Sequence, residues 1–238
     1  MERTLVKLQG LPVDTFTFEE ALKYAAGISG QIVTINPEMI ACAKKNPDFK
    51  SIIENAELII PDGIGVEIGL KILGKRVKRM AGIEFARALL AEFSKTSQPV
   101  ALVGAKEEII TKARENLEKE INGINIVYSH NGYFKEDEII LKELANSNPR
   151  YVLVALGSPK QEEFINKAKQ LMPDALLIGV GGSFDVWSGV VDRAPEIYQK
   201  MGVEWLYRTV KEPKRFKRIF PTLPLFVLNV LKEKFIGV

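Results

Sequence analysis

Tyr151-Val152-Leu153-Val154-Ala155-Leu156-Gly157-Ser158-Pro159-Lys160-Gln161-Glu162 runs from an unbroken apolar segment, through a glycine-proline turn, into a charged helix start. A continuous apolar run of this length reads as a strand buried on both faces. The turn delivers the chain directly into Lys160–Leu171, where apolar residues recur at three- and four-residue intervals, the period of an amphipathic helix.

The same order of elements extends outward from this unit. Gln31–Ile35, Leu58–Ile60, Val100–Val103, Ile124–Tyr128 and Ala175–Val180 join Tyr151–Leu156 as buried strands. Glu38–Lys45, Ile64–Leu73, Glu84–Phe93, Glu107–Glu120 and Asp137–Ala145 join Lys160–Leu171 as helices. Strand-helix-strand alternation builds a parallel sheet whose two faces are both covered. Thr4–Leu8 and Val13–Phe16, parted at Leu11-Pro12, predict a separate hairpin. The fold class is α/β: a Rossmann-like parallel sheet with helices on both faces, an N-terminal β-hairpin and a C-terminal helical, membrane-binding appendage. No internal repeat or low-complexity segment occurs. The composition changes near Glu196, dividing an α/β core at 1–195 from a basic amphipathic appendage at 196–238.

The 238 residues are 46% hydrophobic and 26% charged, which excludes collagen-like, disordered and disulfide-scaffold classes. Cys42 is the sole cysteine and His130 the sole histidine, so neither an internal disulfide nor a zinc site of thiolates and imidazoles can form. A reducing compartment fits. Met1–Gly10 has charged residues and no apolar run of signal-peptide length, and the expectation is a cytoplasmic protein.

Charge is unevenly placed. The formal total is +3, yet Arg208–Val238 alone carries +6, leaving −3 on residues 1–207. The basic tail is also apolar, with Phe216, Ile219 and Phe220 at helical spacing beside Lys214, Arg215, Lys217 and Arg218. A membrane span needs about 20 consecutive apolar residues, and Pro221 and Pro224 interrupt the stretch here. The tail therefore reads as a segment that lies on an anionic bilayer, peripherally attached to the inner face of the cell membrane. A core-packing helix and an oligomer contact are the competing readings. Nucleic acid is not expected as a partner, because aromatic residues and lysines are not interleaved along the body of the chain.

Ligands of an open parallel sheet collect beyond the carboxyl ends of its strands. The junctions there are Thr34-Ile35-Asn36-Pro37-Glu38, Pro61-Asp62-Gly63-Ile64-Gly65, Gly104-Ala105-Lys106, Gly157-Ser158-Pro159-Lys160-Gln161-Glu162 and Gly179-Val180-Gly181-Gly182-Ser183-Phe184-Asp185. Glycines at Gly104, Gly181 and Gly182 let backbone N–H groups approach an anion, and helix amino termini favour negative charge, which suits a phosphate or diphosphate. The third glycine of the dinucleotide fingerprint and the lysine of the phosphate loop are both missing, which demotes hydride transfer and P-loop chemistry.

Local chemistry leaves individual roles open. Asp62 is either a turn aspartate or a general base at the cleft rim. Asn36 before Pro37 has the pattern of a helix cap. Thr34 is a solvent-capped hydroxyl or a donor to a sugar, and Arg79 belongs to a solvated basic loop or to a diphosphate site. The amide of Gln161 bonds either the chain or a ligand. His130 reads as a turn residue and Cys42 as a helix-packing one.

Taken together, these junctions resemble the WecG/TagA/CpsF glycosyltransferase family. The stretches that carry the resemblance are Thr34–Glu38, Pro61–Gly63, Arg79-Met80-Ala81-Gly82, His130-Asn131-Gly132-Tyr133-Phe134, Leu156–Glu162, Gly179–Asp185, Arg193-Ala194-Pro195 and Glu204-Trp205-Leu206-Tyr207-Arg208, in that order along nearly the whole chain. The resemblance implies inverting transfer of N-acetylmannosamine from its UDP conjugate to the 4-hydroxyl of an N-acetylglucosamine on undecaprenyl diphosphate, in wall teichoic acid or related surface glycan synthesis. It makes Asp62 the general base, with Thr34 and Arg79 beside it in the catalytic set. By the same resemblance Thr34 and Asn36 contact sugar and Arg79 and Gln161 engage the donor, while Gly104, Gly181, Gly182 and Asp185 complete the substrate site. The appendage reaches the membrane and covers the site with Arg208, Arg215 and Arg218. Met80, Asn131 and the proline-rich Pro221–Pro224 depart from the family's pattern.

Many sugar-nucleotide transferases hold a metal between two aspartates one residue apart, and this sequence has no Asp-x-Asp. Backbone N–H groups and arginines would then stabilise the leaving diphosphate, with no metal and no other cofactor. The alternatives are a different UDP-sugar, such as the uronic acid form or UDP-glucose, and a non-catalytic sugar-nucleotide-binding subunit. A homo-oligomer remains open, because an apolar face with Met201, Trp205 and Val210 can pack on the core or on another subunit.

Overall fold

A computed structural model describes residues 3–200, 204, 206, 207 and 216–236, with the side chains of 200 and 216–221 excepted. The hairpin pairs β1 (Leu5–Leu8) with β2 (Leu11–Asp14). Its turn is Gln9-Gly10, both at positive φ, and not the expected Leu11-Pro12. Gly10 takes a left-handed conformation without strain, and Leu11 and Pro12 lie inside β2, paired with Leu8 and Lys7.

The main sheet contains β3 (Gly30–Ile35), β4 (Leu58–Pro61), β5 (Pro99–Gly104), β6 (Asn125–His130), β7 (Tyr151–Ala155) and β8 (Leu176–Gly179). They are parallel throughout, in the order β4-β3-β8-β7-β5-β6. Side chains alternate between faces, as a two-residue period requires. Ile32, Leu58, Ile60, Leu102, Leu153 and Ile178 pack on one side, and Val33, Ile59, Val103, Val152 and Leu177 on the other. His130, expected in a turn, is the last residue of β6.

The first face is covered by α1 (Phe18–Ala26), α5 (Gly82–Ser94), α6 (Glu107–Glu120) and α9 (Ser183–Trp187). The second face is covered by α2 (Pro37–Ala43), α3 (Pro47–Glu54), α4 (Ile64–Ile72), α7 (Asp137–Asn146) and α8 (Lys160–Leu171). A short α10 (Glu196–Lys200) follows, and α11 (Phe216–Ile236) closes the described chain. The sequence pattern missed α1 and α3, although α1 begins with a full capping box between Thr17 and Glu20.

The helix expected in the C-terminal appendage is α11, which runs unbroken through Pro221 and Pro224, the prolines that interrupt its apolar run. Tertiary packing supports it. Phe226 and Val230 are buried in the cluster that contains Leu8, Met39, Val66 and Leu70. Gln9 donates from Nε2 to the Phe226 carbonyl at 3.1 Å and from its backbone N–H to Glu233 at 2.9 Å. Glycines on α4 shape the seat. A Cβ at Gly65 would lie 2.7 Å from the Pro37 ring, and one at Gly69 would lie 2.9 Å from the Phe226 ring.

Candidate active site

The chain leaves β3 for α2 on one face of the sheet and leaves β8 for α9 on the other. Neighbouring strands whose connections diverge open a crevice at their carboxyl ends. A cavity of about 590 Å³ occupies this place, lined by the ends of β3, β4 and β8 and the turn after β7. Thr222 and Leu223 of α11 and Glu204 close one side of it.

Asp62 lines the cavity directly after β4. Its backbone N–H continues the sheet by donating to the Ile35 carbonyl at 2.8 Å. Gly63 follows at φ +80°, a left-handed residue that turns the chain into α4. Burial pushes the Asp62 carboxyl up to about 6. The Gly82 N–H, the Arg79 guanidinium and the Gly63 N–H oppose that rise, and the nearby Glu204 carboxylate adds to it. The result is an acid held close to the ionisation range in which a side chain takes and returns protons at neutral pH.

The surrounding groups are held by the chain itself. Arg79 is positioned by its backbone N–H, which donates to Glu67 Oε2 at 2.9 Å, and its Nη2 donates to the Gln199 carbonyl at the end of α10. Gly82 permits close approach to Thr34, since a Cβ there would sit 3.1 Å from the threonine methyl. Gln161 accepts at Oε1 from the Gly181 N–H at 3.1 Å and donates from Nε2 to Glu162 Oε1 at 2.7 Å. Gly179 leaves room for that amide, because any Cβ there would collide with Nε2. Asn36 caps α2 by accepting from the Met39 N–H at 3.0 Å, so its carbonyl oxygen serves the fold while the residue also lines the cavity.

A profile of the glycosyl transferase WecG/TagA/CpsF family matches residues 6–237. The chain belongs to this family. Two relatives, from Bacillus spizizenii (strain ATCC 23059 / NRRL B-14472 / W23) and Bacillus subtilis (strain 168), are each named N-acetylglucosaminyldiphosphoundecaprenol N-acetyl-beta-D-mannosaminyltransferase. The first is 38% identical over 204 residues, covering 85% of this chain and 79% of the relative. The second is 38% identical over 208 residues, covering 87% and 81%.

In this WecG/TagA/CpsF glycosyltransferase the cavity gathers Thr34, Asn36, Asp62, Arg79, Gln161, Gly181, Gly182 and Asp185 from distant parts of the sequence. Gly104 is not among the lining residues. It stands at φ +130° with its α-carbon pressed against the Ala155 backbone, where a Cβ would collide with the carbonyl, so strand packing accounts for it. Arg208 and Arg215 lie outside the described residues, as do Met201, Trp205 and Val210, and Arg218 is described only as a helical residue of α11.

The sequence reading missed two carboxylates. Glu204 reaches the cavity from beyond α10, and only its place within Glu204–Arg208 set it apart. Glu162 is buried behind Gln161, where burial pushes its carboxyl up to about 6. A charged residue at the start of an amphipathic helix reads as exposed, so no local signal marked its burial. Among the described lining residues Arg79 carries the only positive charge, against Glu38, Asp62, Asp185 and Glu204. Among the described residues no cluster of three or more His, Cys, Asp or Glu side chains is arranged to hold a metal, and no helix is long and apolar enough to cross a membrane.

Proposed function

We propose that this glycosyltransferase moves N-acetylmannosamine from UDP-N-acetylmannosamine to the 4-hydroxyl of N-acetylglucosamine on undecaprenyl diphosphate, with inversion. The transferred sugar and the acceptor follow the names of the two Bacillus relatives, and UDP as the carrier is part of our reading of the site. The observation that carries the chemistry is Asp62, a carboxylate with its ionisation raised to about 6 at the wall of a 590 Å³ cavity. Asp62 takes the proton of the 4-hydroxyl as that oxygen attacks the anomeric carbon. The new O4–C1 bond forms while the bond from C1 to the β-phosphate oxygen breaks, and its electron pair leaves with UDP.

The departing diphosphate gains charge in the transition state and needs donors aimed at it. Arg79, the second N–H of the Gln161 amide and the backbone N–H of Gly182 are donors at the wall, the Gly181 N–H being taken up by Gln161 Oε1. The excess of carboxylates in the described lining calls for further cations, a role that suits Arg208, Arg215 and Arg218 of the appendage. With these in place no metal ion takes part.

The acceptor is held in a lipid surface, and α11 supports docking there. Leu225, Leu228, Lys232 and Phe235 share one side at helical spacing, and the first two and the last are 57%, 56% and 77% exposed. Apolar residues beside lysine suit the interface of an anionic membrane. A matrix of UDP-sugars against lipid-linked acceptors, run with and without EDTA, tests the whole reading. UDP-N-acetylmannosamine and the N-acetylglucosamine acceptor are expected to react best, at a rate EDTA leaves unchanged. Preference for another sugar, or activity lost to EDTA and restored by Mg²⁺, contradicts it.

A further inference from the structure

Glu162 is 2% exposed, lies behind the cavity wall and belongs to no set of residues assigned above. We propose that Glu162 is a positioning residue: its carboxylate fixes the amide of Gln161 in the one orientation that presents an N–H to the donor diphosphate while the carbonyl holds the Gly181 loop. This rests on the reading of Gln161 as a donor-binding residue.

An ionised carboxylate only accepts, so the atom of Gln161 that faces it is the amide nitrogen. The Nε2 to Glu162 Oε1 distance of 2.7 Å is that of a charge-assisted bond. The carbonyl oxygen is then turned to the Gly181 N–H, 3.1 Å away, at the left-handed turn between β8 and α9. One N–H of Nε2 is used by Glu162, and the other belongs to an amide that lines the cavity. Without the carboxylate the amide can rotate by half a turn. Its nitrogen would then face the Gly181 N–H, and both the loop and the ligand would lose a partner. Gln161 is itself only 5% exposed, so water does not compensate. Burial holds the Glu162 carboxyl above its ordinary range even though the Gln161 amide, the Ser158 hydroxyl and its own N–H oppose that rise, an arrangement that is costly for the fold. A residue kept for packing alone would be better served by an apolar side chain there.

The test measures UDP affinity and steady-state transfer with the full-length protein at pH 8, where the carboxylate is ionised. Glu162→Met and Glu162→Leu remove the acceptor at similar volume, and Glu162→Gln keeps one. Losing one charge-assisted bond to a charged ligand corresponds to about a tenfold change. Both apolar variants are expected to weaken UDP binding by about tenfold with an unchanged or raised melting temperature, and Glu162→Gln to stay within about twofold. In a Gln161→Ala background the Glu162→Met change is expected to have no further effect on UDP binding. If Gln161→Ala leaves UDP affinity unchanged, both the donor role of Gln161 and this proposal fall. If Gln161→Ala weakens UDP but the Glu162 variants do not, or if they weaken it equally in both backgrounds, the proposal alone is overturned.

Discussion

Asp62 sits where burial and hydrogen bonding pull its ionisation in opposite directions. Burial prevails and raises the carboxyl to about 6. The working form of a base is the ionised one, so kcat/KM should rise with pH through about 6 and fall away below it, a dependence read from a pH-rate profile. Stability runs the other way. A carboxyl whose ionisation is raised on folding binds its proton more tightly in the folded state, so the fold loses stability as pH climbs from 3.8 to about 6 and the loss levels off above that. The shift from 3.8 to about 6 is worth at most about 3 kcal/mol, and solvent at the cavity wall reduces that. Asp62→Asn should therefore melt no lower than the wild type at pH 7.5 by calorimetry, while losing activity. Asp62 and Asn36 also show how far the sequence was readable at this scale. A cap and a base have the same local pattern of a polar residue between strand and helix. Only the three-dimensional partners separate them: the Met39 N–H accounts for Asn36, whereas Asp62 opens on the cavity.

At the scale of elements, the docking of α11 depends on two small residues of α4 one helical turn apart. Leu223 lies over Gly65 and Phe226 over Gly69. Gly69→Leu should displace α11, expose it to limited proteolysis and cut turnover of the lipid-linked acceptor by tenfold or more, on the order expected when a closing element is lost. Intact protection of α11 in that variant would contradict the packing described here. The strands and six of the helices were legible because their periods are long and uninterrupted, Glu107–Glu120 and Lys160–Leu171 down to the terminal residue. The hairpin turn was misread because Leu11-Pro12 looks like a turn by composition, while Gln9-Gly10 forms it by conformation. The helical character of the appendage was legible from Phe216, Ile219 and Phe220, but the continuity of α11 through Pro221 and Pro224 was not. Proline disfavours a helix locally, and the contacts of Phe226 and Val230 with residues more than a hundred positions away offset it.

Over the whole molecule, a sheet with divergent connections makes the crevice, and the last helix brings both a wall of that crevice and an apolar outer side to one region. Leu225→Glu combined with Leu228→Glu should reduce binding to anionic vesicles, measured by sedimentation, without lowering the melting temperature, because both residues point away from the buried side. Chelation with EDTA should leave transfer unchanged, measured as label passing to the lipid-linked product. That the site lies beyond the carboxyl ends of the strands was foreseeable from the strand-helix alternation, while the strand pair that opens the crevice, β3 and β8, was visible only in the folded sheet order. The carboxylates Glu204 and Glu162 were not foreseeable: only the folded chain brings Glu204 near Asp62, and the burial of Glu162 beside its sequence neighbour Gln161 comes from tertiary packing that the helix pattern does not show. The account stands most directly on the rate of Asp62→Asn relative to wild type, with UDP-N-acetylmannosamine and the lipid-linked acceptor in excess EDTA. It predicts a fall of about 10²-fold or more with UDP affinity retained, the usual scale of a lost general base. A variant as fast as the wild type would contradict it.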